Sequence, residues 1–327
     1  MVLQPHDYML MAMEAGEKAR LHAPPNPWVG ALVVNDRGVV SEGHTQAPGE
    51  SHAEIEALRR AGEQARGATL VVTLEPCCHV GRTGPCVEAI VAAGIARVVI
   101  GTLDPDSRVS GRGVELLKAS GVQVEVGIEE SLVRRQLAPY LWHRRTGRPY
   151  VVLKVASTLD GVVAMSDGSS QWITGEAARR DAHVLRAQSQ AILVGAGTVR
   201  ADDPVLTARL DDIIIEPLRV VLGTVADDAR VRPCLERSGE LGLVLDELGE
   251  HDVLQLLVEG GPATASEFLE QGLVNHVVWY QAPAFAGASG TLGALRALST
   301  PTIGSLRRGR VVDVTRIGED IRVDVEV

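Results

Sequence analysis

The sequence predicts an α/β fold in two domains, and three observations support this. Short runs rich in Val, Ile and Leu alternate with stretches of helical spacing along all 327 residues. A chain of this length exceeds what one hydrophobic core usually serves. The segment 142–150, WHRRTGRPY, is basic and contains Gly and Pro, and the alternation restarts after it. We therefore expect domains at about 1–145 and 150–327, each with helices covering a largely parallel sheet.

The elements of the first domain are predicted from hydrophobic periodicity and stop signals. Ser51 is a plausible N-cap for a helix that places Ile55 and Leu58 on one face, and Gly94 ends another helix. The pattern predicts helices over 6–20, 51–65, 85–94 and 113–120, and strands over 28–36, 37–44, 68–76, 96–104 and 122–128. In the second domain it predicts helices over 175–188 and 263–273, and strands over 150–158, 191–197, 218–223, 254–261 and 276–282.

Composition and charge narrow the class of partner. The chain is 45 % hydrophobic and 23 % charged, carries a net charge of −10, and has no run near the roughly 18 apolar residues of a membrane span. Its start has no compact apolar run typical of a secretory leader. An acidic chain favours a small metabolite over nucleic acid. We expect a cytoplasmic homo-oligomer with no nucleic-acid or membrane partner, in a compartment where cysteines stay reduced.

Three of the four cysteines lie in the stretch EPCCHVGRTGPC, residues 75–86, downstream of a His-Ala-Glu at 52–54. We expect His52, one of Cys77 and Cys78, and Cys86 to bind zinc. Three protein ligands leave the fourth tetrahedral position to water, which is typical of a catalytic site. Glu54 would carry the proton from that water to the leaving group. An H-x-E followed by P-C and a second Cys is typical of zinc nucleobase deaminases.

Geometry adds a condition to this zinc hypothesis. His52 and Glu54 converge only if His52 precedes the first helical turn. Cys77 follows a strand and Pro76, where we expect a helix to begin and to favour the thiolate. The competing interpretations are a four-ligand structural site that uses Cys78 or His79, a disulfide, and buried thiols.

The second domain offers two glycine turns and a local excess of arginine. LLVEGGPATASEFL, residues 256–269, is strand, Gly-Gly turn and helix, which suits a dinucleotide phosphate at the helix N-terminus, and ILVGAGT adds a second turn. The arginines are Arg179, Arg180, Arg186, Arg200 and Arg209, of which two or three are expected to be solvated helix residues.

Motifs in both domains resemble the bifunctional deaminase/reductase family of riboflavin biosynthesis. The first domain contributes HAEIEAL and EPCCHVGRTGPC, with eight residues between Cys77 and Cys86, where nucleoside and tRNA-editing deaminases have two. The second contributes TLDG (158–161), SSQWIT (169–174), EAARRDAHVLR (176–186), ILVGAGTVRADDPVLTARL (192–210) and VEGGPATASEFL (258–269). The resemblance covers essentially the whole chain.

The resemblance implies a cytidine-deaminase-like three-layer α/β/α domain followed by a dihydrofolate-reductase-like α/β domain. The first would deaminate a ribosylamino-pyrimidinone 5′-phosphate with Zn²⁺, and the second would reduce the ribosyl group of the product with NADPH. It puts zinc on His52, Cys77 and Cys86, leaves Cys78 a bystander, and makes Glu54 the proton shuttle.

The resemblance also assigns residues to the reductase site. Lys154 matches a lysine of the family site, whereas Asp160 could simply make a turn. Cofactor contacts are implied for Ala156, Trp172, Thr198, Asp202, Thr224, Gly261, Pro262, Ala263, Thr264, Ala265, Ser266 and Glu267. Substrate contacts are implied for Asn26, on the strand NPWVGALVV, and for Ser170, Arg186, Leu206, Arg209 and Glu259.

The chain departs from the family at two places in the second domain. Gly223 stands where many relatives carry an acidic residue. The segment 232–250 is shorter than the corresponding segment of the family. Two rival interpretations follow: a zinc deaminase of nucleotides or nucleosides with a non-catalytic second domain, and a binding protein stapled by metal. An intact Glu54 argues against the second rival, because a structural metal site has no use for a proton shuttle.

Overall fold

The computed structural model describes residues 4–79, 84–211, 213–287, 291–296 and 298–327. Residues 80–83 of the cysteine-rich stretch therefore lie outside the described part. The chain divides into two compact units, Met1–Gly147 and Arg148–Val327. Among the helices of the described residues, none is both long and apolar enough to cross a membrane.

The first unit alternates helices with a five-stranded sheet. Its helices are α1 (Pro5–Glu17), α2 (Ala53–Ala61), α3 (Cys86–Ala92), α4 (Arg112–Ala119), α5 (Glu130–Gln136) and α6 (Ala138–Thr146). Its strands are β1 (Gly30–Asn35), β2 (Gly38–His44), β3 (Thr69–Leu74), β4 (Arg97–Thr102) and β5 (Gln123–Val126). The strand order is β2-β1-β3-β4-β5; β1 is antiparallel to β2 and β3, while β3, β4 and β5 run parallel.

Two glycines show that helices cover both faces of this sheet. A Cβ on Gly30 would lie 1.8 Å from the Ala12 carbonyl oxygen of α1. Gly43 pairs with Ala31, which points to the face of β1 opposite to that of Gly30. A Cβ on Gly43 would lie 2.3 Å from the Ala53 carbonyl oxygen of α2. Neighbouring residues of a strand point to opposite faces. The helices α1 and α2 therefore pack on opposite faces, which gives the three layers expected.

The predicted linker is wrong for most of its length. Residues 142–146 are the end of α6, in which Leu141 and His143 are 3 % and 7 % exposed. The helix ends at Gly147, whose φ of +74° favours glycine. The sequence suggests a linker because its charges dominate the composition, although Leu141 and His143 are buried.

The second unit is built on an eight-stranded sheet. Its strands are β6 (Tyr150–Thr158), β7 (Val162–Ala164), β8 (Ala191–Gly195), β9 (Ala208–Leu210), β10 (Ile213–Ile215), β11 (Leu218–Leu222), β12 (Leu235–Arg237), β13 (Gln255–Val258), β14 (His276–Ala282), β15 (Leu292–Gly293), β16 (Arg310–Ile317) and β17 (Asp320–Glu326). Its helices are α7 (Glu176–Ala187), α8 (Ala196–Asp202), α9 (Leu241–Glu250) and α10 (Pro262–Glu270). The order is β12-β11-β8-β13-β6-β14-β17-β16, parallel from β12 to β14 and antiparallel at β17 and β16.

Apolar cores lie on both faces of this large sheet. Leu153 of β6 packs in a cluster with α9 and α10, while its neighbour Val152 packs in a second cluster with α7 and α8. The parallel strands are consequently buried on both sides and read as continuous apolar runs. Such burial leaves functional side chains to the carboxyl ends of the strands, where the connecting segments begin.

Candidate active sites

Three elements bring the predicted metal ligands of the first unit together. His52 is the N-cap of α2, with extended backbone, so the expectation that Ser51 caps this helix is wrong. Cys77 follows β3, and the described residues 75–79 contain no helix, so the expectation that a helix begins at Cys77 is wrong for these residues. Cys86 instead opens a helix, as the first residue of α3.

The spacing of the three donor atoms fits a tetrahedral metal ion. His52 Nδ1 lies 3.3 Å from Cys86 Sγ and 3.5 Å from Cys77 Sγ, and one ligand atom from each residue falls within 4.8 Å of the others. With Zn–N of about 2.0 Å and Zn–S of about 2.3 Å, a tetrahedral site separates nitrogen and sulfur by about 3.5 Å. The His/Cys/Cys donor set is one that zinc prefers. The described residues could therefore hold zinc here.

Hydrogen bonding within the cluster favours a thiolate at Cys77. The bond from the Cys86 thiol, opposed by burial and aided by His52, lowers the pKa of Cys77 to about 4. The bond with Cys77 raises the pKa of His52 to about 9, although burial opposes it. The backbone N–H of Cys86 also points at Cys77 Sγ, 3.4 Å away. The bond with Cys77 and burial raise the pKa of the Cys86 thiol, so a metal ion that binds here must displace protons from His52 and Cys86.

Glu54 lies beside the cluster as a buried carboxyl group. Glu54 is 4 % exposed. Burial raises the pKa of its carboxyl group, although the charge of His52 lowers that pKa. It also hydrogen-bonds the Cys86 side chain. A carboxyl group with a raised pKa can both accept and return a proton near neutral pH.

The remaining cysteines do not join the cluster. Cys78 Sγ donates to the Arg108 carbonyl oxygen at 3.5 Å, and all four cysteines, which are all among the described residues, are free thiols. The disulfide interpretation is therefore wrong for this structure. Within the described ranges, His52, Cys77 and Cys86 form the group that could hold a metal, and His79 is outside it.

Asn26 is half-buried ahead of β1, and its backbone N–H donates to the Ala23 carbonyl oxygen.

In the second unit, strand register brings Lys154, Glu259 and Arg186 together. Val258 of β13 pairs with Leu153 of β6, so Glu259 follows β13 next to Lys154, and Lys154 Nζ lies 3.9 Å from Glu259 Oε2. Arg186 Nε and Nη2 donate to the two Glu259 oxygens at 2.6 and 2.9 Å. Arg186 Nη1 donates to the Thr207 carbonyl oxygen at 3.2 Å. The forked face of Arg186 is thus already occupied by Glu259.

These charges perturb one another. Burial would raise the pKa of Glu259, but Arg186 and then Lys154 hold it at about 2. Burial lowers the pKa of Lys154, with Glu259 opposing. The result is a fixed carboxylate and an ammonium group that releases its proton more readily than an exposed lysine.

His183 is a neighbour of this cluster that is not among the residues predicted from the sequence. Its ring lies within hydrogen-bond distance of Arg209, at 3.2 Å from the backbone nitrogen and 3.3 Å from Nη2. His183 and Arg186 are three residues apart on α7 and so share a helix face. The three-residue spacing of His183 and Arg186 in EAARRDAHVLR is the sequence signal that could have identified His183 as part of this site. Leu206, 3 % exposed with a φ of +57°, lies in the connection just before Thr207.

The Gly-Gly turn at Gly260 and Gly261 contacts α8. It brings together part of the set of predicted cofactor residues. The Gly261 N–H donates to Thr198 Oγ1 at 3.1 Å, and a Cβ on Gly195 would lie 2.7 Å from Thr264 Oγ1. Ser170 Oγ donates to Asp202 Oδ1 at 3.2 Å.

Other residues of that predicted set have different surroundings. Ala265 is buried in the apolar core, and Ser266 Oγ accepts the backbone N–H of Arg296 at 2.6 Å. Pro262 is half-buried and Ala263 exposed at the start of α10, while Glu267 is exposed and accepts a bond from Gln271. Ala156 is half-buried on β6, Thr224 is exposed after β11, and Trp172 is 68 % exposed, with Arg179 4.7 Å above its ring.

Asp160 organises a turn. Its carboxylate accepts the N–H groups of Ala286 and Gly287 and the Thr158 hydroxyl, at 2.5 to 3.2 Å. The arginines also separate: Arg180 pairs with Glu176 on the exposed face of α7 and Arg200 is exposed on α8, as solvated helix residues would be.

The two departures from the family pattern form regular structure. Gly223 has a φ of +104° and donates its N–H to the Arg237 carbonyl oxygen at 2.8 Å, a conformation that favours glycine over an acid. Residues 232–250 contain β12 and α9, and α9 packs in the core. The short segment therefore still completes the sheet edge.

Comparison with known proteins connects both sites to one family. Residues 3–102 match the family "cytidine and deoxycytidylate deaminase zinc-binding region", and residues 149–323 match the "RibD C-terminal domain". The riboflavin biosynthesis protein RibD of Aquifex aeolicus is 37 % identical over 96 % of each chain. That of Escherichia coli is 40 % identical over 88 % of this chain and 89 % of its own.

Solved structures agree over the full length. RibD of Acinetobacter baumannii, form 1, superposes with a TM-score of 0.91 at 36 % identity, covering 98 % of both chains. A Thermotoga maritima structure described as a diaminohydroxyphosphoribosylaminopyrimidine deaminase/5-amino-6-(5-phosphoribosylamino)uracil reductase superposes with a TM-score of 0.87 at 34 % identity, again over 98 % of both. With matches at this identity across both units, the chain belongs to the RibD family of bifunctional deaminase/reductases.

Proposed function

We propose that the chain converts a diaminopyrimidine ribotide in two steps, one in each unit. The substrate is 2,5-diamino-6-ribosylamino-4(3H)-pyrimidinone 5′-phosphate, in keeping with the activity named for the Thermotoga relative. The first step releases ammonia by hydrolysis, and the second reduces the ribosyl group to ribityl with NADPH. The observation that carries the proposal is a His/Cys/Cys cluster with a buried glutamate beside it, in a chain whose second unit matches the RibD C-terminal domain.

In the deaminase site, His52, Cys77 and Cys86 hold zinc and Glu54 moves protons. Zinc bound there lowers the pKa of a water molecule and makes it a nucleophile at neutral pH. Glu54 accepts the proton that the water loses as its oxygen bonds to the amino-bearing ring carbon. It then donates that proton to the departing amino nitrogen, so that the C–N bond breaks and ammonia leaves, and the second proton of the water moves to the adjacent ring nitrogen as the carbonyl group forms.

In the reductase site, Lys154 is the catalytic residue, and Glu259 and Arg186 position it. NADPH supplies the hydride that is added to the sugar carbon bonded to nitrogen. As the bond between that carbon and the ring oxygen of the sugar breaks, Lys154 can deliver the accompanying proton to the oxygen, because its buried ammonium group has a lowered pKa. Arg209 is exposed and suits the ribose phosphate better than Arg186, whose fork is occupied by Glu259.

The remaining predicted contacts stay part of this proposal. Thr198, Gly261 and Thr264 form the turn that suits a dinucleotide phosphate, since they lie where two strand ends meet two helix starts. Ser170 and Asp202 form a hydrogen-bonded pair that supports a role at the same site.

Removal of zinc tests the first step. Treatment with a strong chelator is expected to abolish ammonia release, and added Zn²⁺ is expected to restore it. NADPH oxidation on supplied deaminated product should continue throughout, because its residues belong to the other unit. Ammonia release that survives complete removal of zinc would refute the proposal.

Lys154→Gln tests the second step. The value of kcat/KM for NADPH oxidation on the deaminated product is expected to fall by at least about 100-fold, as for loss of a general acid. Glu259 keeps its two bonds to Arg186, so the fold should persist. The control is Arg180→Gln, which removes a charge from an exposed pair and should change the rate by less than about twofold. Equal losses in the two variants, or an equal loss of ammonia release, would contradict the assignment.

We also propose a cytoplasmic homo-oligomer. The four free thiols support a reducing compartment. Val311 and Val314 are 57 % and 60 % exposed on the edge strand β16, which supports burial against another copy. Sedimentation of the full chain tests this, and a monomer at micromolar concentration would contradict it.

A further inference from the structure

Glu75 is a buried carboxylate that neither proposed reaction uses. It follows β3 directly, two residues before Cys77, and is 3 % exposed. Its backbone N–H donates to the Thr102 carbonyl oxygen at 3.0 Å, which extends the β3–β4 pairing by one step. A buried carboxylate needs several donors to offset its loss of hydration.

Three backbone donors to Glu75 come from the part of the chain that follows β4. Glu75 Oε2 accepts the backbone N–H groups of Asp104 at 3.3 Å and Gly111 at 3.0 Å. Glu75 Oε1 accepts the N–H of Val114, in the first turn of α4, at 3.2 Å. One side chain thus binds the beginning of the 104–111 connection, its end, and the helix after it. The helix dipole of α4 adds to the attraction.

The contact between α4 and the segment that carries Cys77 is close. A Cβ on Gly113 would lie 2.3 Å from the Pro76 carbonyl oxygen and 3.1 Å from Glu75 Oε1. On its other side, Cys77 is tied to α3, because its carbonyl oxygen accepts the Val87 N–H at 3.2 Å. Residues 75–77 are therefore clamped between α4 and α3.

We propose that Glu75 is a positioning residue for the metal centre and for deamination. It holds Cys77 at the distance from His52 and Cys86 that a tetrahedral ion requires. It also holds the 104–111 connection, which leaves the sheet beside the Cys77 segment because β3 and β4 are parallel neighbours. Side chains that support ligands in this way typically change metal affinity or activity by about 10–100-fold. The inference rests on the zinc site proposed above.

Glu75→Gln in the full chain tests the inference. Glutamine has the same shape but one acceptor oxygen, so at least one of the three N–H groups loses its partner. We expect the Kd for Zn²⁺, measured by chelator competition, to rise about 10–100-fold, and the visible spectrum of the Co²⁺-loaded protein to change. Deaminase kcat/KM should fall by a similar factor, while reductase kcat/KM stays within about twofold.

Glu56→Gln is the matched control. Glu56 is also a buried carboxylate of the first unit, but its side chain pairs with Arg59 and Arg60 on α2. It should keep the wild-type zinc affinity and cobalt spectrum. A Glu75→Gln protein with wild-type values, or equal weakening in both variants, would overturn the inference. Wild-type protein that binds no zinc would instead refute the proposed site itself.

Discussion

Glu54→Gln should bind zinc as the wild type does and release ammonia at least about 1,000-fold more slowly. The amide keeps the size of the side chain and lies outside the His52, Cys77 and Cys86 cluster, so the ligands remain. It cannot take a proton from water or return one to the leaving nitrogen, and such transfers contribute about 10²–10⁴-fold. Metal content by elemental analysis and ammonia release by a coupled assay measure the two effects.

The reductase provides the internal control for this variant. Supplied with deaminated product, Glu54→Gln should oxidise NADPH at the wild-type rate, because Lys154, Arg186 and Glu259 lie in the other compact unit. Loss of both activities would contradict the two-site account. Undiminished ammonia release would remove Glu54 from the mechanism.

The adjacent cysteines should respond oppositely to replacement by serine. Cys77→Ser is expected to weaken zinc binding by at least about 100-fold and to abolish ammonia release, because the hydroxyl does not supply the thiolate ligand. Cys78→Ser should keep both within about twofold, since Cys78 Sγ donates to the Arg108 carbonyl oxygen, which a hydroxyl can also do. Zinc titration of the two proteins side by side measures the contrast. Similar zinc affinities in the two would show that the ligand assignment is wrong.

The metal cluster could be predicted because its residues carry their own spacing signal. His52 lies at the start of a predicted helix. Cys77 follows a predicted strand and Pro76. Both ligands are therefore predicted to lie at the ends of elements, where they can meet. The residues alone left open which of Cys77 and Cys78 is the ligand. The structure separates them: the Cys77 side chain points to His52, while Cys78 contacts the 104–111 connection.

The reductase cluster was less predictable because it depends on long-range register. Lys154 and Glu259 meet only because β13 pairs with β6 one step before each residue. The sequence does not predict that pairing of strands. It also does not predict that the guanidinium group of Arg186 donates to both carboxylate oxygens of Glu259. Likewise, Ala265 and Ser266 fall in the glycine-turn motif, but the helix turns them towards the core and Arg296.

The fold was predictable where apolar runs are buried on both faces and less so at the edges. The sequence pattern does not predict the strands β16 and β17, since β16 carries charges among its valines and is exposed along most of its length. The sequence of the end of α6 suggests a linker because its charged residues dominate the pattern, although Leu141 and His143 are buried.

The ratio of ammonia released to NADPH oxidised, measured in one reaction of the zinc-loaded protein with the diaminopyrimidine ribotide, is the most direct test of two sites acting in sequence. We predict one ammonia for each NADPH oxidised at completion, with ammonia appearing first and still appearing in full when NADPH is left out. Ammonia release that requires NADPH, or NADPH oxidation without ammonia release, would contradict two separate sites acting in sequence.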